Sequence, residues 1–271
     1  MDSERMTLEN EELAIETKFI NIWKQAVERS KEEESGNLRG YLQKDEEHIA
    51  KNWEEIKKDL NPQEQEKLNS FFYDKHSNES HAKELYQNLR FISEFIYEDE
   101  SSKKLPKLVD SLENKSLEYL QRCLQSSSNF AYATKDVASQ DDSVRALFLF
   151  STIESYYKFE TDQSKSNLVL WKKFLYALPQ STLQKFTNTL QYKQVEEGAQ
   201  PDVVEFLYEK RCNLIHEGVH FEFRKSERTN TIERIDDFQQ KPVIFSLTLD
   251  QFENWVGQAL IHNIVYGSSK K

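Results

Sequence analysis

Apolar residues recur at helical spacing through the first 125 residues. One set is Leu13, Phe19, Ile20, Trp23 and Val27, and a second is Leu42, Ile49, Trp53 and Ile56. Asn61-Pro62 with Glu64 reads as a helix start, with a capping Asn, Pro at the first helical position and a carboxylate in the first turn. Further helices are predicted over 85–97 and near 108–124. KEEES (31–35) reads as a solvated helix end. The Ser-rich stretch 126–143 has no clear period and is the expected linker. VRALFLFSTIESYYKF (144–159) is apolar on nearly every face, as suits a helix at the centre of a bundle.

Two helices are expected next, over about 165–178 and 181–193, with Ser181 and Gln184 as a capping box for the second. Gly198 and Pro201 then introduce the helix that carries Arg211. After Gly218 the pattern changes, because Val219, Phe221 and Phe223 alternate with His220, Glu222 and Arg224. Period-two alternation predicts a strand. The stretch 223–247 continues as strand, polar excursion and second strand, and 249–266 closes the chain as an apolar helix. The fold expected is mainly all-α, a helical bundle with a small two-stranded β element near 219–247. Its parts are an acidic helical region (1–125), a linker (126–143) and a C-terminal helical domain (144–271).

Composition agrees with helices. The 271 residues include only 6 Gly and 5 Pro, with 31% charged and 12% aromatic side chains. No apolar run approaches the roughly 18–20 residues that cross a bilayer, and the acidic start predicts no secretory leader. Cys123 and Cys212 are far apart and form no C-x-x-C, which points to a reducing, cytoplasmic setting. The net charge is −11, and it is unevenly spread. Residues 1–130 carry 28 acidic and 19 basic side chains, against 19 and 17 in the remainder. This disfavours broad, non-specific nucleic-acid binding and leaves room for a local site in the second half.

The candidate chemistry sits in KRCNLIHEGVHFEF (210–223), where two motifs share one histidine. His216-Glu217-x-x-His220 spells the zinc-protease pattern, which needs both histidines on one helical face. Gly218 and the alternation after it end the helix between them, so the chelate is not expected to form. Arg211-x4-His216 is the alternative. On a helical wheel Arg211 falls inside the apolar arc of Val203, Val204, Phe206, Leu207, Leu214 and Ile215. A guanidinium there needs an anion to offset its desolvation. Glu154, flanked by Leu147 and Phe150 on the apolar helix, is the expected partner. His216 lies about 140° from Arg211 at 100° per residue, so a shared site calls for a distorted last turn or a second chain.

RALFLFSTIESYYKF followed some 50 residues later by YEKRCNLIHEG resembles the HEPN (higher eukaryotes and prokaryotes nucleotide-binding) superfamily, especially its Apea-like branch, over about 140–266. The resemblance implies a metal-independent endoribonuclease of host defence, toxin systems or RNA processing, with no cofactor or metal. It implies a homodimer whose two R-x4-H helices build one composite site. Arg211 and His216 would be catalytic, with Glu154 and Asn213 supporting. Cys212 stands where many members carry a polar residue after the Arg, and Asn213 follows one position later.

RNA supplies its own nucleophile, the 2′-OH, so cleavage needs proton transfer and charge stabilisation at phosphorus. His216 suits the first and Arg211 the second, giving 2′,3′-cyclic phosphate and 5′-OH ends. Arg224, Lys225, Arg228 and Arg234 are candidates to position RNA, although Glu227, Glu233, Asp236 and Asp237 dilute them and favour a solvated loop. His48, His76 and His81 form no metal cluster by pattern, and His262 reads as a core or surface histidine. The competing function is a non-catalytic RNA-, nucleotide- or protein-binding module. A protein regulator or antitoxin is a further expected partner, and no membrane is.

Overall fold

A computed structural model describes residues 2–37, 75–136, 142–157, 166–193, 200–217, 223, 232–236 and 241–266. The expected helix around Leu42 to Ile56 and the Asn61-Pro62 start lie outside these residues. The described chain is mostly helical with a small antiparallel sheet, as the sequence pattern predicts. It forms two compact units, one of residues 1–86 with 112–120, the other of 87–111 with 121–271.

In the first unit, helix α1 (Asp2–Asn37) buries Phe19, Ile22, Trp23 and Ala26. That i, i+3, i+4, i+7 stripe is rotated from the expected one: Leu13 is exposed, and Ile20 and Val27 are only half-buried. Ala26 is the reason, since a small side chain admits close packing that a size-based reading overlooks. Helix α2 (Lys75–Tyr97) answers with Ala82, Leu85 and Tyr86 at the same spacing. The rings of Phe19 and Tyr86 lie 6.1 Å apart, and those of Trp23 and His81 6.2 Å. Arg29 donates to the Lys115 carbonyl at 2.9 Å, and Lys18 pairs with Glu113 at 2.7 Å.

The helix expected over 108–124 is two helices, α3 (Ser101–Asp110) and α4 (Leu117–Ala131). Asn114 breaks it by taking a left-handed backbone with φ of 61°, which Asn tolerates better than most residues. Ser116 then starts α4, its hydroxyl accepting from the Tyr119 N–H at 3.2 Å. The expected linker is helical over its first part. Residues 126–131 complete α4, and Tyr132–Asp136 form one π-helical turn. Its serines are not solvated spacers: Ser126 and Ser127 are buried, and the Ser127 hydroxyl returns to the Leu124 carbonyl at 3.0 Å.

Helix α5 (Asp142–Tyr157), α6 (Asn167–Leu175) and α9 (Leu249–Tyr266) make the core of the second unit. Helix α9 buries eleven of its eighteen residues and α5 seven of its sixteen. Asn263 locks the three together. It accepts from the Tyr156 and Tyr157 hydroxyls at 2.9 and 3.1 Å, and its amide donates to the Phe174 and Ala259 carbonyls at 3.0 and 2.8 Å. Every polar atom of that buried side chain is thereby satisfied.

The helix expected over 181–193 stops early. Helix α7 (Gln180–Thr187) is followed by strand β1 (Leu190–Tyr192), and no capping box forms because Pro179, not Ser181, precedes the first turn. Strands β2 (Ile232–Asp236) and β3 (Lys241–Phe245) complete a sheet of order β1-β3-β2, one strand more than expected. Leu190 and Ile232 both pair with Phe245. A three-residue strand with Leu and Tyr flanking one polar residue is too short to separate from a helical end by period. Of the strand expected over Val219 to Arg224, only Phe223 lies among the described residues, and it is in no strand. Phe223 is buried, its ring 6.1 Å from Phe245 and 5.5 Å from Phe252.

Candidate functional site

Helix α8 (Val203–Glu217) carries the candidate arginine, and its start is firmly set. The Asp202 carboxylate accepts from the Val204 and Glu205 N–H groups at 2.9 and 3.2 Å. The same carboxylate accepts from the Tyr176 hydroxyl at 2.7 Å and pairs with Lys172 at 2.9 Å, while Lys172 also reaches Glu205 at 2.6 Å. These bonds fix α8 against α6. Burial alone would raise the Asp202 pKa, but hydrogen bonds from Lys172 and Tyr176 carry it below its ordinary value. Burial and the same carboxylate push the Tyr176 phenol well up.

On that platform the structure brings Arg211 and Glu154 together. The guanidinium Nη2 donates to Glu154 Oε2 at 2.7 Å, with the two side chains 14% and 28% exposed. Trp171, fully buried on α6, donates its indole N–H to the other carboxylate oxygen at 3.3 Å. Its ring is wedged between Phe150 at 5.3 Å and Tyr208 at 5.5 Å. Glu154 is therefore held at both oxygens, and it holds Arg211 in turn. Burial lowers the Arg211 pKa, and the hydrogen bond and charge of Glu154 more than reverse this, so the guanidinium stays cationic. Its Nε–H is buried without a partner. The Tyr208 pKa is raised, first by burial and then by the neighbouring Cys212.

The other expected site residues fall as follows. Asn213 lies on α8 and is half-buried. His216 lies on α8 five residues beyond Arg211, as backbone within the helix. Arg234 pairs with Val243 across β2 and β3. Arg224, Lys225, Arg228 and His220 lie outside the described residues. The apolar arc around Arg211 is buried at Val203, Val204, Phe206 and Leu207, but Ile215 is 46% exposed. Among the described residues no cluster of His, Cys, Asp and Glu could hold a metal ion, and no helix is long and apolar enough to cross a membrane.

Two functional-looking groups escape a reading of the sequence. Trp171 is one; an indole inside the run NLVLW signals a buried N–H that needs an acceptor. The second is a buried ion pair in which Glu253, 3% exposed, accepts from Arg145 and from the Thr134 hydroxyl, the latter at 2.6 Å. Asp250 adds a bond to Arg145 at 2.8 Å. A carboxylate between Phe252 and Trp255 on an apolar helix is the same signal that singles out Glu154, applied to α9. Compared with known protein families, with curated proteins and with solved structures, the chain matches none.

Proposed function

We propose that the chain is a metal-independent endoribonuclease of HEPN type, working as a homodimer in the cytoplasm. The observation that carries this reading is the oriented cation: Arg211 sits in an apolar face, aimed by a carboxylate that is itself fixed by Trp171. A guanidinium has five N–H donors, so one bond to Glu154 leaves others for a phosphate. In the reaction the 2′-OH attacks the adjacent phosphorus and the 5′-oxygen leaves. His216 exchanges the protons, and Arg211 offsets the charge that builds on the phosphate oxygens. Glu154 is a positioning residue. Asn213 adds a hydrogen bond to phosphate or base, and Arg224, Lys225, Arg228 and Arg234 place the strand.

Ile215 supports the dimer. It lies one turn beyond Arg211 and leaves an apolar side chain uncovered next to the site. A second α8 packed there would bring two Arg211 and two His216 to one cleft. Defence, toxin activity or RNA processing under a protein regulator or antitoxin is the matching setting.

A specific observation favours a second reading, a non-catalytic binding module: Glu154 already occupies Arg211, whose side chain is only 14% exposed. Cleavage of RNA in EDTA by the wild type, Arg211→Ala and His216→Ala separates the two. The proposal expects cleavage by the wild type alone. Cleavage that survives both substitutions overturns the residue roles, and RNA bound but never cut supports the binding module.

A further inference from the structure

A cavity of about 370 Å³ opens between α2, α3 and α9, within the second unit and built from other residues than the Arg211 site. That volume lies at the lower end of small-molecule sites. Its apolar walls are Ile96, Leu108, Ile261 and Val265. Lys104 and Lys107, one turn apart on α3, stand at its edge with His262, Tyr97 and Tyr266. Among the described residues no Asp or Glu lines it. A cationic recess of this kind is conspicuous in a chain of net charge −11.

The charges facing it are few. Lys104 reaches Glu100 loosely at 3.9 Å and lies 5.4 Å over the Tyr97 ring. The His262 ring lies 4.5 Å from that of Tyr266 at a tilt of 46°, and burial lowers its pKa, which favours the neutral ring. One further atom points to a ligand. Ser93 is 1% exposed, lines the cavity, and its hydroxyl has no hydrogen-bond partner. A buried hydroxyl is seldom left unpaired, because its desolvation goes uncompensated.

We propose that this cavity binds a small organic anion, its apolar body on the aliphatic walls, its head at Lys104 and Lys107, and the Ser93 hydroxyl bonding the ligand. A carboxylate and a phosphate monoester share that chemistry.

Isothermal titration of the full chain with benzoate, phenyl phosphate and uncharged benzyl alcohol tests it. One anion or both should bind at one site, roughly tenfold or more tighter than the alcohol. Preference for benzoate marks a carboxylate ligand, and preference for phenyl phosphate a phosphate monoester. Lys104→Met with Lys107→Met should weaken that anion roughly tenfold, since two exposed charges are removed. Ser93→Ala should weaken binding while leaving thermal stability unchanged or higher. Arg211→Gln should bind as the wild type does. No binding of either anion, equal binding of the alcohol, or affinity lost in Arg211→Gln but kept in the lysine variant overturns the proposal.

Discussion

Glu154→Gln is the sharpest perturbation of the Arg211 cluster, because it removes a charge and almost no volume. Glutamine keeps an oxygen that can accept from either Trp171 or Arg211, in place of the two oxygens that now serve them at 3.3 and 2.7 Å. What is lost is the counter-charge to a guanidinium whose Nε–H is already buried and unpartnered. Breaking a fully buried pair from one side costs about 3–5 kcal/mol. Here Glu154 is 28% exposed and water reaches it, so the loss should be about 1–3 kcal/mol, the range of a charged hydrogen bond. For a unit of this size that is a fall in Tm of roughly 2–10 °C.

Circular-dichroism melts of wild type, Glu154→Gln, Arg211→Gln and the double variant form a thermodynamic cycle. The double variant should be more stable than the sum of the single losses requires, by at least about 1 kcal/mol, because the neutral pair strands no charge. Strict additivity, with Glu154→Gln within about 0.3 kcal/mol of wild type, would refute the claim that the carboxylate holds the arginine.

Asn263→Leu should lower stability by about 2–4 kcal/mol in urea melts, since it removes three side-chain hydrogen bonds and leaves the Phe174 carbonyl without its donor. A loss under about 1 kcal/mol would mean that the network is not limiting. Gly257→Ala places a Cβ 2.8 Å from Ile96 Cδ1 and 2.9 Å from Phe130 Cζ. Crowding of about 1–3 kcal/mol should outweigh the helix gain of about 1, so the variant melts lower; a rise in Tm would show that the two side chains yield freely.

Asp202 gives a pH signature with a definite sign. Its folded pKa is below the ordinary 3.8, so its stabilisation is in full above that value and is lost as pH falls through the folded one. Asp202→Asn should therefore flatten the acid end of a stability-versus-pH profile; an unchanged slope below pH 4 would contradict this.

Long helices were legible where apolar residues were dense, as at α5 and α9. The breaks were less so. Asn114 and Ser116 end one helix and begin another inside a run that keeps its apolar period, and the decisive facts are a left-handed φ and a hydroxyl cap. Ser126 and Ser127 look like a spacer because composition does not show that they are buried, or that a hydroxyl such as Ser127's can return to its own helix. Strand β1 exists through its pairing with residues more than fifty positions later, which no local window contains. At the site, Arg211 and Glu154 were each visible as a charge in an apolar stripe. Trp171 and the Arg145–Glu253 pair were passed over, although Glu253 carries the same signal as Glu154, because no motif in the sequence drew attention to α6 or α9.

The most direct test of the proposed chemistry uses one RNA oligonucleotide and its copy with a single 2′-deoxy nucleotide at the cleaved position, both in EDTA. If Arg211 and His216 assist attack by the 2′-OH, the wild type should cut the RNA to 2′,3′-cyclic phosphate and 5′-OH ends and leave the 2′-deoxy copy intact at that position. Equal cutting of both substrates, or no cutting of either, would contradict it.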